Sequence, residues 1–290
     1  MRIAILGQRG GWHEKSLQTA LSRRGIDAPS LPITRLTARQ GVAPRISIGQ
    51  EVLDNYDALF IRAIPGGSLE EIIFRVDALH CLENRGVLIV NSPGAIERTV
   101  DKYYTLSLLE DAGIQVPRTI VTEHFDEAMN GFIELGQDIV VKPLFGSEGR
   151  GMVRVCDKET AYRAFRALEL GRYVYCLQEF IPHGCEDIRT FVVGDRVVGA
   201  MVRRSETWKT NMAQGANGFP MDPDDTLCEM SLKAAKTLGT AYAGIDILPV
   251  EGGGYRLIEV NGIPAWRGLY AVTGVNPADH MVDFVLNGTR

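Results

Sequence analysis

Residues 243–262 read A-G-I-D-I-L-P-V-E-G-G-G-Y-R-L-I-E-V-N-G. Two apolar runs of strand length flank Gly252-Gly253, the signature of a two-residue hairpin turn. With the turn centred there, Asp246 stands directly opposite Glu259. Asn261 shares the face of Glu259, because strand side chains alternate with period two. Like charges opposite one another destabilise an antiparallel pair, and a hard cation between them reverses that sign. Asp, Glu and Asn offer only oxygen, and Mg²⁺ is held by one or two carboxylates together with substrate phosphates. The hairpin therefore reads as the holder of a metal-bound nucleotide. The alternative is a surface hairpin with two solvated acids.

Composition places that hairpin in a globular enzyme. The 290 residues are 45% hydrophobic and 23% charged, enough for two or three substructures. The formal charge is −5 and no basic block occurs, which argues against nucleic acid as a partner. No apolar run reaches the roughly 18 residues of a membrane span. The chain enters a strand-like run at Arg2, without a signal-peptide core. Its five cysteines are odd in number and lack C-x-x-C spacing, so reduced thiols and a cytoplasmic location are expected. His183 and Cys185 are too few for a zinc site and read as structural.

Up to about residue 95, short apolar runs at 2–6, 57–62 and 87–91 alternate with helical spacing at 14–24 and 68–84. Ser68 with Glu71 forms a capping-box pattern. This predicts a small, mostly parallel α/β layer. It is not a dinucleotide domain, since the first turn reads G-Q-R-G-G at 7–11 rather than G-x-G-x-x-G. A helix is expected over 99–113, then strands near 118–122, 138–143, 152–155 and 173–181, with helices at 125–135 and 159–170 between them. A hairpin over 187–204 turns at Gly194-Asp195. About twenty polar and small residues follow, a length unusual for a loop without function. Helices at 225–239 and from about 276 complete the reading.

The run F-G-S-E-G-R-G at 145–151 joins two of these strands. Its glycines let backbone N–H groups approach an anion. Lys142 precedes it in an apolar strand, where a lysine calls for an anionic partner or else guards a sheet edge. No G-K-[ST] follows, and neither H-R-D nor D-F-G occurs, so the loop belongs to neither a Walker A site nor a protein kinase. Asp187 and Arg189 share one strand face. Arg203 and Arg204 sit on the return strand on opposite faces, suited to phosphate or to solvent.

In order, V-K-P-L-F-G-S-E-G-R-G at 141–151, L-Q-E-F-I at 177–181, D-I-R-T-F-V-V-G-D at 187–195, Arg203 with W-K-T-N at 208–211, A-G-I-D-I at 243–247 and I-E-V-N at 258–261 resemble the ATP-grasp superfamily, in its RimK-like glutamate-ligase branch. The likeness is dense from Lys102 to Asn261. It implies a small Rossmann-like pre-ATP-grasp α/β domain at 1–95, then two α+β subdomains clamping ATP: a central one at 96–182 with the glycine loop and a C-terminal one at 183–290 with the Mg²⁺ and acceptor site. It implies that Lys102 and Lys142 hold the α and β phosphates. Gly146, Ser147, Gly149 and Gly151 close over them as a mobile lid. Gln178, Glu179 and Ile181 line the adenine hinge, and Asp187 meets the ribose. Asp246, Glu259 and Asn261 take two Mg²⁺ ions, for which Mn²⁺ substitutes. Arg203, Lys209 and Asn211 serve the transferred phosphoryl group. The implied reaction is ADP-forming: a carboxylate becomes an acyl-phosphate that an amine attacks.

The substrate side departs from that pattern. After Asn261 the chain continues G-I-P-A-W-R-G, where glutamate ligases of the branch usually read A-S-P-G. Lys209 stands where arginine is common, and 214–218 lack a Gly-Gly pair. Trp266 can stack on a flat ring such as a pterin, or simply pack; Arg267 can bind a carboxylate. The expectation is glutamate, or a similar amino acid, joined to the carboxylate of a protein tail or a pterin-like cofactor, by a homo-oligomer. Two other classes stay open: a nucleotide-binding module without catalysis, and a phosphotransferase.

Overall fold

The computed structural model describes residues 1–8, 10–146 and 149–288. The chain opens with β1 (Ile3–Gly7), α1 (Trp12–Ser22), β2 (Ser30–Pro32), β3 (Leu36–Ala38), β4 (Ile46–Ile48), β5 (Glu51–Val52), β6 (Ala58–Ile61), α2 (Leu69–Glu83) and β7 (Leu88–Val90). Strands β2–β1–β6–β7 form one parallel sheet in that order. Both of its faces are covered, which is why β1 reads as an unbroken apolar run rather than an alternating one. Ile3 and Ile5 point to α1, while Ala4 and Leu6 pack beneath Leu79 and Leu82 of α2. The Ser68–Glu71 capping box is present at the start of α2. Strands β3, β4 and β5 form a small antiparallel sheet. Strands of two or three residues carry too little periodicity to be read from sequence.

Next come α3 (Pro93–Val100) and α4 (Lys102–Asp111). The single helix expected over 99–113 is divided at Asp101, whose carboxylate caps the Tyr104 N–H at 3.1 Å. An N-cap residue is extended, so it ends one helix as it starts another. The central layer follows: β8 (Thr119–Thr122), α5 (Phe125–Glu134), β9 (Ile139–Lys142), β10 (Val153–Val155), α6 (Lys158–Leu170) and β11 (Tyr175–Glu179). Its antiparallel sheet runs β10–β9–β11–β8, with Phe132 of α5 and Phe165 of α6 filling one side.

The last layer holds β12 (Glu186–Val193), β13 (Arg196–Arg204), β14 (Asn217–Met221), α7 (Asp225–Leu238), β15 (Tyr242–Pro249), β16 (Tyr255–Asn261), α8 (Arg267–Thr273) and α9 (Pro277–Gly288). Its sheet runs β14–β13–β12–β15–β16. The polar stretch after 204, expected to be loop throughout, pairs its second half with β13 as β14. On one face of β12, Ile188 and Val192 pack under Leu227 and Leu238 of α7. On the other, Phe191 and Val193 join the α1–α9 core, leaving Asp187 and Arg189 at the open end.

Asn91 ties the first layer to the last. It is fully buried; its Nδ2 donates to Tyr242 O at 2.7 Å and Gly262 O at 2.6 Å, and its Oδ1 accepts from the N–H groups of Ala241 and Tyr242.

Candidate functional site

Lys142 is the last residue of β9, a strand enclosed between β10 and β11. That rules out the sheet-edge reading. Its Nζ donates to Gln178 Oε1 at 2.6 Å, and Gln178 Nε2 donates in turn to Thr119 Oγ1 at 3.0 Å. Burial holds the Lys142 ammonium below its ordinary range, against the pull of Glu259. Lys102 begins α4, and its Nζ donates to Gly146 O at 2.8 Å, so a second ammonium reaches the glycine loop from the other side.

The facing sheet presents a row of charges. Asp187 and Arg189 lie two residues apart on β12, hence on one face. Register places Arg203 opposite Asp187, Asp246 opposite Arg189, and Glu259 opposite Asp246. Arg203 grips Asp187 through Nε and Nη2, at 2.6 and 2.5 Å, and its Nη2 reaches Asp246 Oδ1 at 2.8 Å. Arg189 pairs with Asp246 through Nε and, at 2.7 Å, through Nη2. Thr210 Oγ1 donates the last bond to Asp187 at 2.6 Å. Burial works to raise the Asp246 pKa, but Arg189 and Arg203 outweigh it and hold the carboxyl below the usual range. For Asp187, burial pushes up against Arg203.

Glu259 is the odd charge. Two arginines face three carboxylates in this row, and among the described residues the Glu259 carboxylate has neither a hydrogen-bond nor an ion-pair partner. Burial, and then the charge of Asp246, raise its pKa. The cations that act on it are Lys102 and Lys142 of the opposite layer, with Arg189 behind them. A divalent cation on Glu259 and Asp246 would remove the repulsion that the fold builds in. Only oxygen donors are offered, so the residues fit Mg²⁺. Among the described residues no group of three His, Cys, Asp or Glu side chains converges, so this pair needs Asn261 or ligand oxygens to complete a shell.

Between the two layers lies a cleft that opens to solvent. Lys102, Lys142, Gly146, Gly149, Gln178, Glu179, Ile181, Asp187, Arg203, Lys209, Asn211, Asp246 and Glu259 all line it. Asn261 and Gly151 do not; Asn261 Nδ2 bonds Gly244 O at 3.4 Å, and Gly151 lies against Pro143. Ser147 falls outside the described residues. Gly146, Gly149 and Gly151 have φ of 151°, 69° and 75°, values that L side chains rarely adopt. At Gly149 a Cβ would overlap the Asn211 side-chain oxygen, so the loop rests directly on the last layer. The Glu179 carboxylate is taken by Arg118, through its N–H at 2.8 Å and Nε at 2.6 Å, leaving Glu179 to face the cleft with its backbone.

Sequence reasoning gave no role to the apolar lining of the cleft, Phe180, Trp208, Leu248 and Ile258, and took His183, which also lines it, as structural. The Trp208 and Phe180 rings meet edge to face at 6.2 Å. It also missed Arg189 as the clamp of Asp246, although period two already placed Arg189 beside Asp187. Trp266 is fully buried among Trp12, His13, Phe191 and the Arg62 guanidinium. Its ring packs and is not open to a ligand.

Residues 99–285 match the RimK-like ATP-grasp domain. Tetrahydromethanopterin:alpha-L-glutamate ligase of Methanosarcina acetivorans is 31% identical over 95% of this chain and 95% of its own length. The enzyme of the same name from Methanococcus maripaludis is 33% identical over 99% and 98%. Alpha-aminoadipate–LysW ligase LysX of Sulfolobus acidocaldarius is 31% identical over 94% and 96%. In fold, the chain is similar to the ATP-grasp ligase PsnB complexed with its minimal precursor, with a TM-score of 0.80 at 22% identity over 99% of both chains. A RimK domain ATP-grasp protein from Sphaerobacter thermophilus gives 0.76 at 22% identity over 98% and 99%.

Proposed function

The chain belongs to the RimK-like ATP-grasp family, and from that premise we propose that it joins L-glutamate to the carboxylate of a small pterin-like acceptor, with Asp246, Glu259, Lys102 and Lys142 holding Mg²⁺-ATP. It is an ATP-dependent, ADP-forming carboxylate–amine ligase. The observation that carries the site is Glu259, without a partner among the described residues, opposite the clamped Asp246, with the charges of Lys102 and Lys142 from the other layer acting on it. Full-length likeness to two enzymes named for tetrahydromethanopterin and α-L-glutamate supports the substrates.

In this reading Lys102 and Lys142 bind the phosphates, and Gln178, the Glu179 backbone and Ile181 border the base. The glycine loop excludes water, which would hydrolyse an acyl-phosphate. Arg203, held in place by Asp187, presents its remaining face to the moving phosphoryl group beside Lys209 and Asn211. Two Mg²⁺ ions, when bound at Asp246, Glu259 and Asn261, would neutralise charge developing on that group. The functional units are residues 1–95, 96–182 and 183–290. A homo-oligomer agrees with the exposed Leu69, Ile72, Ile73 and Phe74 of α2.

The test is ADP release from ATP and Mg²⁺ with L-glutamate, with and without a reduced pterin ending in a carboxylate, and mass spectrometry of the product. Release that requires both substrates and yields a new amide is expected. Hydroxylamine trapping without amide, or ADP release indifferent to both, overturns the substrate assignment.

A further inference from the structure

Three side chains on one face of the central sheet form a line of hydrogen bonds whose direction is set at its far end. Gln178 of β11 stands opposite Thr119 of β8 on one side and Val140 of β9 on the other. Lys142 lies two residues beyond Val140, hence on the same face. Thr119 Oγ1 donates to Pro117 O at 3.0 Å. Gln178 Nε2 donates to Thr119 Oγ1 at 3.0 Å, and Lys142 Nζ donates to Gln178 Oε1 at 2.6 Å. Gln178 is buried, so its amide has little water to turn to.

Each polarity follows from the one before it. The Pro117 carbonyl can only accept, so it engages the single hydroxyl proton of Thr119. The Thr119 oxygen is left with lone pairs and accepts from an amide N–H. That places the amino end of Gln178 at Thr119 and its carbonyl end at Lys142. The reverse orientation would set an amino group against an ammonium, and a carbonyl against a hydroxyl whose proton is already engaged. Both clashes would be buried, where unmet polar groups are costly. Bound to one amide oxygen, the ammonium keeps two of its three N–H groups for ligand oxygens. Lys142 and Gln178 line the nucleotide cleft, and Thr119 does not.

We propose that Thr119 is a positioning residue for nucleotide phosphates: it fixes which end of the Gln178 amide faces the cleft, and through that amide aims the Lys142 ammonium. The inference rests on ATP as the ligand of the cleft, and adds a residue outside the cleft that governs its affinity. Removing the Thr119 hydroxyl frees the amide to turn. Lys142 then loses its acceptor and its fixed direction, while the cleft lining and the net charge stay as they were.

The experiment titrates the full chain calorimetrically with a non-hydrolysable ATP analogue in excess Mg²⁺. Thr119→Val keeps the shape of the side chain and removes its oxygen; it is expected to weaken binding about 5- to 20-fold. Thr119→Ser restores the hydroxyl and is expected to bind within about twofold of wild type. Gln178→Leu is expected to weaken binding about 10- to 100-fold, and adding Thr119→Val to it to cause no further loss, because the line is already cut. In steady-state ADP release the loss in Thr119→Val is expected in KM for ATP, with kcat and KM for L-glutamate unchanged. Wild-type affinity in Thr119→Val, an equal loss in Thr119→Ser, or a further loss in the double variant overturns the proposal alone. Absence of binding by wild type overturns the ATP site and the proposal together.

Discussion

Asp246 and Glu259 stand opposite one another on β15 and β16, yet they are electrostatically unequal. Asp246 is gripped by Arg189 and Arg203 and its pKa is held low; Glu259 is unpartnered among the described residues and its pKa is raised. The free energy lost in that repulsion is available to whatever cation binds there. This is how a functional site stores instability in a ligand-free fold.

Glu259→Gln tests that reading from both sides. A raised folded-state pKa means that the protonated carboxyl favours the fold. Its contribution is full below the unfolded value of about 4.3 and is lost as pH rises through the raised pKa. Glutamine is permanently neutral. Without nucleotide, Glu259→Gln is expected to melt about 2–4 °C above wild type at pH 8, with the difference closing near pH 4. ATP turnover is expected to fall about a hundredfold or more. Thermal melts across pH and ADP release check both; turnover at the wild-type rate removes Glu259 from the site.

Lys142 carries the opposite shift. Burial lowers its pKa, and nucleotide phosphates would restore its proton. Nucleotide binding at alkaline pH is therefore expected to take up a proton, and affinity to weaken as pH rises through the depressed value. Lys142→Arg does not titrate there. It should bind about tenfold more weakly at neutral pH, because the fork does not fit a point-charge site, but without the alkaline decline. Calorimetry in two buffers of different ionisation heat reads the uptake directly.

How much of this was legible in the sequence depends on range. The Asp246–Glu259 pairing was read from a turn centred on Gly252-Gly253, but the turn spans 250–254 and pairs Pro249 with Tyr255. A bulge beyond Ile247 then slips the register by one residue and restores the acids to opposition. Two offsets cancelled, and neither is written in the period-two pattern. Lys142 was visible because a lysine in an apolar strand is anomalous wherever it lies, whereas Lys102, at the start of α4, came only with the family resemblance. Arg189 as partner of Asp246 depends on how distant strands are ordered, and one sequence carries no signal for that. The Asp101 break was hidden because Asp at an N-cap and Asp within a polar helix face look alike until backbone geometry is known.

Gly149→Ala probes the lid. The substitution forces an L side chain to φ 69° and overlaps Asn211. Strain alone is about 1 kcal/mol; the overlap adds displacement of a cleft residue. The variant is expected to lose about tenfold or more in kcat/KM for ATP, and a few degrees in Tm from the strain. Gly86→Ala, at φ 89° with open space around it and remote from the cleft, shares the strain and not the overlap. It should lose a few degrees in Tm and keep full kcat/KM. Equal activity losses in the two variants would assign the effect to strain alone.

Arg203 separates structure from catalysis only in a double-mutant cycle. Arg203 and Asp187 are 3% and 2% exposed, and Arg203 also reaches Asp246. Arg203→Met leaves two buried carboxylates with one arginine between them. Breaking a buried pair from one side costs about 3–5 kcal/mol, most of it from the stranded charge. Adding Asp187→Asn removes that charge, while the amide oxygen introduced there can still accept from Thr210. The double variant is expected to regain more than half of the stability lost by Arg203→Met and none of the lost turnover, since the phosphoryl group still lacks its guanidinium. Denaturant midpoints and ADP release measure the two quantities independently. Recovery of turnover together with stability would show that Arg203 acts on this sheet and never on substrate.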